Sequence, residues 1–438
     1  MSIDRFETLK VGRHGVTRRE CLVRSAGAAA AAGLVTWHDV LSAFGQQLKK
    51  QGKSFVLLWM AGGPSQFETF DPKPDSPNGG GTKAISTAVP GVRIAEGWDN
   101  MASVLGDVAL IRSMTNREGS HPRATYQLHT GYLPSGSVKH PALGCALAKE
   151  VADLEADLPP AVSIGTSRLT VGAGFLGVAY EPFRVASPGR LPDNTAVPTT
   201  PDRARRRLGL LQQLEQEFAA RGGRPLVENH RQLYDRASRL MLSPKMRVFQ
   251  LDDEPQGLRD AYGDSTFGRG CLLARRLVEA GVPYIEVISG GWDTHDNNFE
   301  RTATLAQQVD PAAATLLKDL KQRGLLEKTV VVWMGEFGRT PRVNPRSGRD
   351  HYPRAFSAWI AGGGLRGGLV VGRTSPNGTS VEDRPVTPAD LFCTICHAMG
   401  VDPRIENLSP LGRPMKIVDG GEPIAELLGS GSTATASS

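Results

Sequence analysis

Ser54-Phe55-Val56-Leu57-Leu58-Trp59-Met60 is polar only at its first residue and stops at Ala61-Gly62-Gly63-Pro64. An unbroken apolar run of this length, ended by glycine and proline, reads as a strand buried on both faces, as in a parallel sheet covered by helices. Similar runs recur at Val108–Ile111, Ala161–Ile164, Tyr284–Ile288, Thr329–Trp333 and Phe356–Ile360. Between them, helical spacing marks Arg123–Leu128, Leu143–Val151, Arg203–Phe218, Val227–Leu242, Gly268–Ala280, Leu305–Arg323 and Pro388–Met399. Buried strands alternating with helices predict an α/β fold with a mostly parallel sheet. Ligands of such sheets bind beyond the carboxyl ends of the strands, so residues just after each run are the first candidates for chemistry.

With 438 residues, 40% of them hydrophobic and 22% charged, the chain has ordinary globular composition and enough apolar content for a large core. This excludes a disordered chain, a collagen-like fibre and a disulfide-stapled miniprotein. Its net charge of +6 gives a pI near 9.1. Met1–Lys53 holds nine Lys/Arg against four Asp/Glu, which leaves 42 basic against 41 acidic groups in the other 385 residues. A nearly neutral remainder makes no broad phosphate-binding face, so no nucleic-acid partner is expected.

The leader contains Thr17-Arg18-Arg19-Glu20-Cys21-Leu22 followed by an Ala/Gly-rich apolar run, Ser25–Val35. An arginine pair before a short apolar stretch predicts export by the twin-arginine translocase to a periplasmic or extracytoplasmic location. At 1.5 Å per residue the run is too short for a bilayer of about 30 Å, and no transmembrane span is expected after it. An amphipathic helix docked on the core is the competing reading. The expected organisation is a leader over 1–53, an α/β domain over 54–428 with a helical insertion around 200–250, and a flexible Gly/Ser/Thr tail over 429–438. The five cysteines form no evenly spaced framework, and Cys393-Thr394-Ile395-Cys396-His397, which matches the haem-attachment pattern, sits on a segment whose helical apolar face makes the cysteines core residues.

The polar clusters follow the strands. Ser289-Gly290-Gly291-Trp292-Asp293-Thr294-His295-Asp296 puts a carboxylate and an imidazole two residues apart on a glycine-freed turn, where both can face one divalent cation or simply bond to the turn. Met334-Gly335-Glu336-Phe337-Gly338-Arg339-Thr340-Pro341 supplies another acid and an arginine, which either pair with each other or face a metal and an anion. Gly348-Arg349-Asp350-His351-Tyr352-Pro353 adds a further acid and imidazole. The Gly362–Gly368 cluster reads as a turn ahead of a phosphate cradle. On the N-terminal side, Gly62–Pro74 carries Gln66, Glu68 and Asp71, and Gly119-Ser120-His121-Pro122-Arg123 places Ser120 or His121 at a helix N-terminus.

Together GGPSQFETFDPKP, SHPRATYQLHTG, GGWDTH, GEFGRTP, GRDHYP and Thr387-Pro388-Ala389-Asp390-Leu391 resemble the domain-of-unknown-function 1501 family, which is similar to the sulfatase and alkaline phosphatase superfamily. The resemblance spans residues 62–391. It implies an alkaline phosphatase-like three-layer α/β/α sandwich and an exported metal-dependent hydrolase of phosphate or sulfate esters, possibly on polysaccharides. A non-catalytic exported glycan- or partner-binding protein on the same fold is the alternative. It further implies one or two divalent ions, zinc, manganese, calcium or magnesium, with Asp293, His295 and His351 as ligands of one. Glu336 with Glu68 or Asp71 would hold the other, with Asp350 also among the ligand acids. Ser120 and His121 fall in the nucleophile slot, and Arg339 or Arg123 would bind the transferred group. No cysteine lies in that slot, which excludes formylglycine chemistry. Glu336-Phe337 stands where the superfamily has Asp-His, and Gln66 and Glu68 replace an expected His and Asp.

Overall fold

A computed structural model describes residues 52–429 apart from 194 and 196–198. The twin-arginine segment and the tail beyond 429 lie outside the described residues. The main sheet has eight strands: β1 Ser54–Met60, β2 Val108–Met114, β3 Ala161–Ile164, β4 Phe183–Val185, β5 Tyr284–Ser289, β6 Thr329–Met334, β7 Phe356–Gly362 and β8 Leu369–Val371. Their order is β8-β2-β7-β6-β1-β5-β3-β4. β7 runs antiparallel to β2 and β6, and the other pairs are parallel, so seven strands end at the same edge. The helices are α1 Asp99–Val104, α2 His121–Thr130, α3 Leu143–Val151, α4 Pro201–Phe218, α5 Arg224–Leu242, α6 Gln256–Tyr262, α7 Thr266–Glu279, α8 Asn298–Gln322 and α9 Pro388–Met399. α4 and α5 are consecutive helices joined by a π-helical turn over Ala219–Gly223.

The sequence of β1 shows why three layers form. Val56, Leu58 and Met60 point into one core, which α1, α7 and α8 cover, whereas Phe55, Leu57 and Trp59 point into a second core under α3 and α9. Both faces need apolar side chains, which is why the run does not alternate. Emptying one such position, as in Leu58→Ala, costs about 2–5 kcal/mol in lost transfer energy and cavity. α9 begins with a capping box between Thr387 and Asp390 and buries Cys393 and Cys396 in the second core. Burial pushes the Cys393 thiol up to about 11, so it behaves as a small apolar residue. Gly362–Gly368 is the turn leaving β7, and Gly362 packs on the Thr329 carbonyl at the start of β6. Because β7 runs the opposite way, this glycine cluster lies at the edge away from the other clusters. Among the described residues no helix is long and apolar enough to cross a membrane.

Candidate metal centre

The turns after β1, β2, β5 and β6 meet at the common carboxyl edge. Gly62, with φ +119°, donates its N–H to Glu336 Oε1 at 2.9 Å. A Cβ on Gly62 would lie 2.4 Å from Asp293 N, so only glycine lets the first turn approach the third. A two-residue antiparallel ladder pairs Arg339 with His351 and delivers the GRDHYP histidine to the same spot. His121 arrives as the first residue of α2, whose N-cap residue Ser120 makes no side-chain cap bond.

Three imidazoles and one carboxylate converge there. The candidate ligand atoms of His121, Asp293 and His351 all lie within 4.8 Å of one another. His295 joins them through Nε2, which is 2.9 Å from His351 Nε2 and 3.1 Å from Asp293 Oδ1. Each ring is turned by an acceptor on its other nitrogen. Nδ1 faces Glu336 Oε1 at 2.7 Å in His121, Asp350 Oδ1 at 2.7 Å in His295 and the Gly119 carbonyl at 2.8 Å in His351. Carboxylates and carbonyls only accept, so the partners assign the proton to Nδ1 in all three and leave each Nε2 as a lone pair aimed at the cluster. This is how ligand histidines are oriented by outer-shell acceptors.

Left to itself the arrangement is incomplete. His295 and His351 bring two nitrogens face to face, and His121 Nε2 is buried, 3.3 Å from Asp293 Oδ1, without a hydrogen-bonding partner. With all three imidazoles in the neutral form that binds a metal, Asp293, Glu336 and Asp350 would contribute three negative charges against the single positive charge of Arg339. The excess of two is what a divalent cation cancels, and three imidazole nitrogens with one carboxylate oxygen suit zinc or manganese better than the oxygen-seeking calcium and magnesium. The residues therefore fit a bound metal. The side chains of Asp293, His295, His351 and His121 remain 46%, 33%, 25% and 22% exposed, which leaves one side of the cluster open to an incoming molecule.

The electrostatics favour the ligand forms of Asp293 and His351 and the protonated form of His121. Burial pushes the Asp293 carboxyl up, but the Arg339 guanidinium, with His121 and His295, outweighs it and holds the group at about 2. Burial, with the positive charges of Arg339 and His121, pushes His351 down and keeps it neutral. Burial also disfavours charge on His121, yet Glu336 and Asp293 raise it above the ordinary imidazole value.

Several expected roles change. Arg339 is fully buried, donating to the carbonyls of Gly62, Gly63, Trp292 and Arg349 and to Asp293 Oδ1 at 2.7 Å. With every arm held inside the protein, it positions Asp293 and does not reach a substrate anion. Glu336 and Asp350 do not point at the cluster; they hold His121 and His295 from behind. Glu68 is outside it, paired with buried Arg349 at 2.8 Å and accepting from Asn298, and Asp71 is held by Lys73, Arg112 and Thr374. One or the other was expected beside Glu336 at a second metal, and pairing with Arg349 in Glu68 and with Lys73 and Arg112 in Asp71 takes them elsewhere. Arg123 forms a two-pronged pair with Glu118. His121, expected in the nucleophile slot, offers a ligand nitrogen. The Gly119 carbonyl and Gln66, which holds both backbone polar groups of Arg339, were missed in their supporting roles. A backbone carbonyl carries no sequence signal at all.

Residues 52–428 match the profile of a family described as "Protein of unknown function (DUF1501)". The chain belongs to this family. A comparison with curated proteins finds no match. Solved structures similar to this DUF1501 chain include Ps i-CgsB, with a TM-score of 0.39, 11% identity and coverage of 80% of this chain and 72% of that one. The PsFucS1 sulfatase from Pseudoalteromonas sp. has a TM-score of 0.36, 16% identity and 82% and 72% coverage. The lipoteichoic acid synthase LtaP from Listeria monocytogenes has a TM-score of 0.36, 9% identity and 80% and 72% coverage. At these identities and TM-scores the likenesses assign no residue a role.

Proposed function

We propose that this DUF1501 protein is an exported hydrolase of phosphate or sulfate esters that works with one divalent metal. The observation that supports it is the convergence of His121, His295 and His351 Nε2 on Asp293 Oδ1, with each ring locked from behind. One ion is proposed because the acids expected at a second site are engaged with Arg349, Lys73, Arg112 and His121. Bound at such a site, a metal supplies a Lewis acid for an ester oxygen and lowers the pKa of water.

The protein's own residues do the rest. Arg339 keeps Asp293 ionised and fixes its oxygen. Glu336, Asp350 and the Gly119 carbonyl keep the three Nε2 lone pairs aimed at one point. No Ser, Thr or Cys side chain hydrogen-bonds any of the four converging residues among the described residues. The attacking group in this reading is therefore water: its oxygen adds to phosphorus or sulfur, the bond to the alcohol oxygen breaks, and that oxygen takes up a proton.

The test is metal analysis of the purified protein with aryl phosphate and aryl sulfate assays on the wild type and His351→Ala. About one metal per chain and turnover abolished by the substitution are expected. Absence of bound metal, or turnover indifferent to His351→Ala, defeats the reading. The non-catalytic alternative has one observation in its favour, since Arg339 and Arg349 are both buried and paired inside the protein and neither is left for a transferred anion. Stoichiometric metal with no turnover of either ester selects it.

A further inference from the structure

The apolar arc of α4 is wider than its neighbours cover. At about 100° per residue, Ala204, Leu208, Leu211 and Glu215 fall in one row, and all four are half-buried. This row faces α5, where Glu215 pairs with His230, and Gln212 Nε2 beside it lies 3.5 Å from Asp235 Oδ1. Leu210, Leu214 and Phe218 form the adjoining row, one turn apart, and are 61%, 65% and 54% exposed. The close packing of α4 is with α5 and the turn between them, so the second row stays bare. Single exposed leucines are ordinary on a protein surface, whereas a continuous row of three large apolar side chains on one helix marks an interaction face.

The charges along α4 indicate what covers that row. Arg203, Arg205, Arg206 and Arg207 crowd its first two turns, and Glu215 and Glu217 stand in its last. A helix dipole favours the reverse order, so this arrangement costs the helix stability when it stands alone. Among the described residues the only ion pairs of α4 are Arg205 with Asp202 and Glu215 with His230, which leaves Arg207 and Glu217 unpaired on either side of the bare row. A second α4 laid antiparallel, about a two-fold axis level with Gln212, sets Leu210 against Leu214 of the second copy and Arg207 against its Glu217. The symmetry makes each contact twice. It also brings the basic half of each helix beside the acidic half of the other. A parallel pairing would instead stack Arg207 on Arg207.

We infer that the bare face of α4 is a homodimer interface, covered by α4 of a second copy of this chain in antiparallel register. One 18-residue helix offers less than the roughly 800 Å² per partner of a standard interface, so the dimer is a reversible one with a roughly micromolar Kd. One layer opposes it: at each outer end Arg203 meets Arg221 of the second copy. Both are exposed, so the repulsion is screened and weakens the pairing without preventing it. The inference does not depend on the metal centre or on any turnover.

The experiment is sedimentation equilibrium of the full chain, from about 1 to 100 μM so as to bracket the expected Kd. Wild type is expected to pass from monomer to dimer across that range. Leu210→Glu places a charge in the apolar layer twice over and should raise Kd by at least about tenfold. Its melting temperature should stay that of wild type, because the side chain it replaces is exposed. Arg207→Glu and Glu217→Arg each turn two attractive pairs into two repulsive ones, and about a tenfold rise is expected for either alone. The double variant restores both pairs and should dimerise as wild type does, and so should an equimolar mixture of the two single variants. Arg203→Glu removes the one repulsive layer and should lower Kd a few-fold. A chain that stays monomeric throughout the range overturns the inference. So does a dimer indifferent to Leu210→Glu and to both charge reversals, since its contact then lies on another face. Weakening by the single reversals without rescue in the double variant excludes the antiparallel register and overturns it as well. The charge reversals keep the test decisive even where Leu210→Glu disturbs α4.

Discussion

Two clusters of charge lie on the same sheet, and they differ in whether they are complete. Behind α7, Arg275 is 1% exposed and contacts Glu254 at 2.5 Å, Glu279 at 2.7 Å and Asp319 at 3.0 Å, while Arg276 reaches Glu254 and Arg323 reaches Asp319. Three arginines face three acids, and Tyr262 adds a hydroxyl to Asp319 at 3.0 Å. Every charge there has its opposite within the protein, which makes the network a clamp joining α7, α8 and the segment before α6. The centre at the carboxyl edge has three acids, one arginine and three imidazoles whose nitrogens face one another. It is equally well oriented but, with its imidazoles in the form that binds a metal, is short of positive charge. Orientation without self-sufficiency distinguishes a site from a brace.

That contrast can be broken in order of effect. Removing a converging residue, as in His351→Ala, should lower metal affinity by more than the about 10–100-fold typical of losing an outer-shell partner, and bound metal measured after dialysis checks it. The same variant should melt at the same temperature with or without added zinc. Next, Arg275→Ala leaves buried Glu254 and Asp319 with one arginine each, Arg276 and Arg323, and should destabilise the fold in denaturant titration by less than the cost of an uncompensated buried charge, about 3–5 kcal/mol, with metal per folded chain unchanged. Loss of metal in that variant would show that the two clusters are coupled. For the wild type, zinc at about 100 times its Kd should add about 2.7 kcal/mol of stability, and the melting curve of metal-stripped protein reads it.

A smaller effect sharpens the roles within the centre. Glu336→Gln keeps an acceptor opposite His121 but removes the negative charge, so metal affinity should fall by about 10–100-fold while the fold holds. Had Glu336 been a direct ligand, the loss would match that of His351→Ala. The smallest expected effect is on pH dependence. Burial pushes the Glu254 carboxyl up, but its bonds to Arg275 and Arg276 bring it below the ordinary value of 4.5. A depressed folded value means that this stability is present above pH 4.5 and drains away as pH falls through the folded value. Unfolding midpoints measured down an acid series should show that decline in wild type and a shallower one in Arg275→Ala.

The strands were the most legible part of the fold. β1 and β3 occupy the residues their apolar runs predict, and β2, β5, β6 and β7 extend theirs by one to three residues. The reversal of β7 was invisible, because a strand buried on both faces has the same composition in either direction. β4 and β8, three residues each at the sheet's ends, were too short to show a pattern. In the centre, Asp293, His295 and His351 were legible as post-strand turns rich in metal-binding chemistry. His121 was legible as a position but not as a member of the cluster, since only the fold brings its Nε2 to Asp293, 172 residues away along the chain.

The sequence by itself determined the layers of this protein, its strand ends and the supply of imidazoles and acids there, because periodicity and chain termination act over a few residues. Tertiary structure alone decided which acids face the cluster and which stand behind it. Glu68 is drawn to Arg349, 281 residues away, Arg339 is drawn inward to Asp293 and four carbonyls, and Glu336 is turned onto His121. The reason is physical: a carboxylate looks the same in sequence whether it binds a metal, orients a histidine or neutralises an arginine. Its role depends on the nearest opposite charge or donor, and that neighbour is supplied by another strand end.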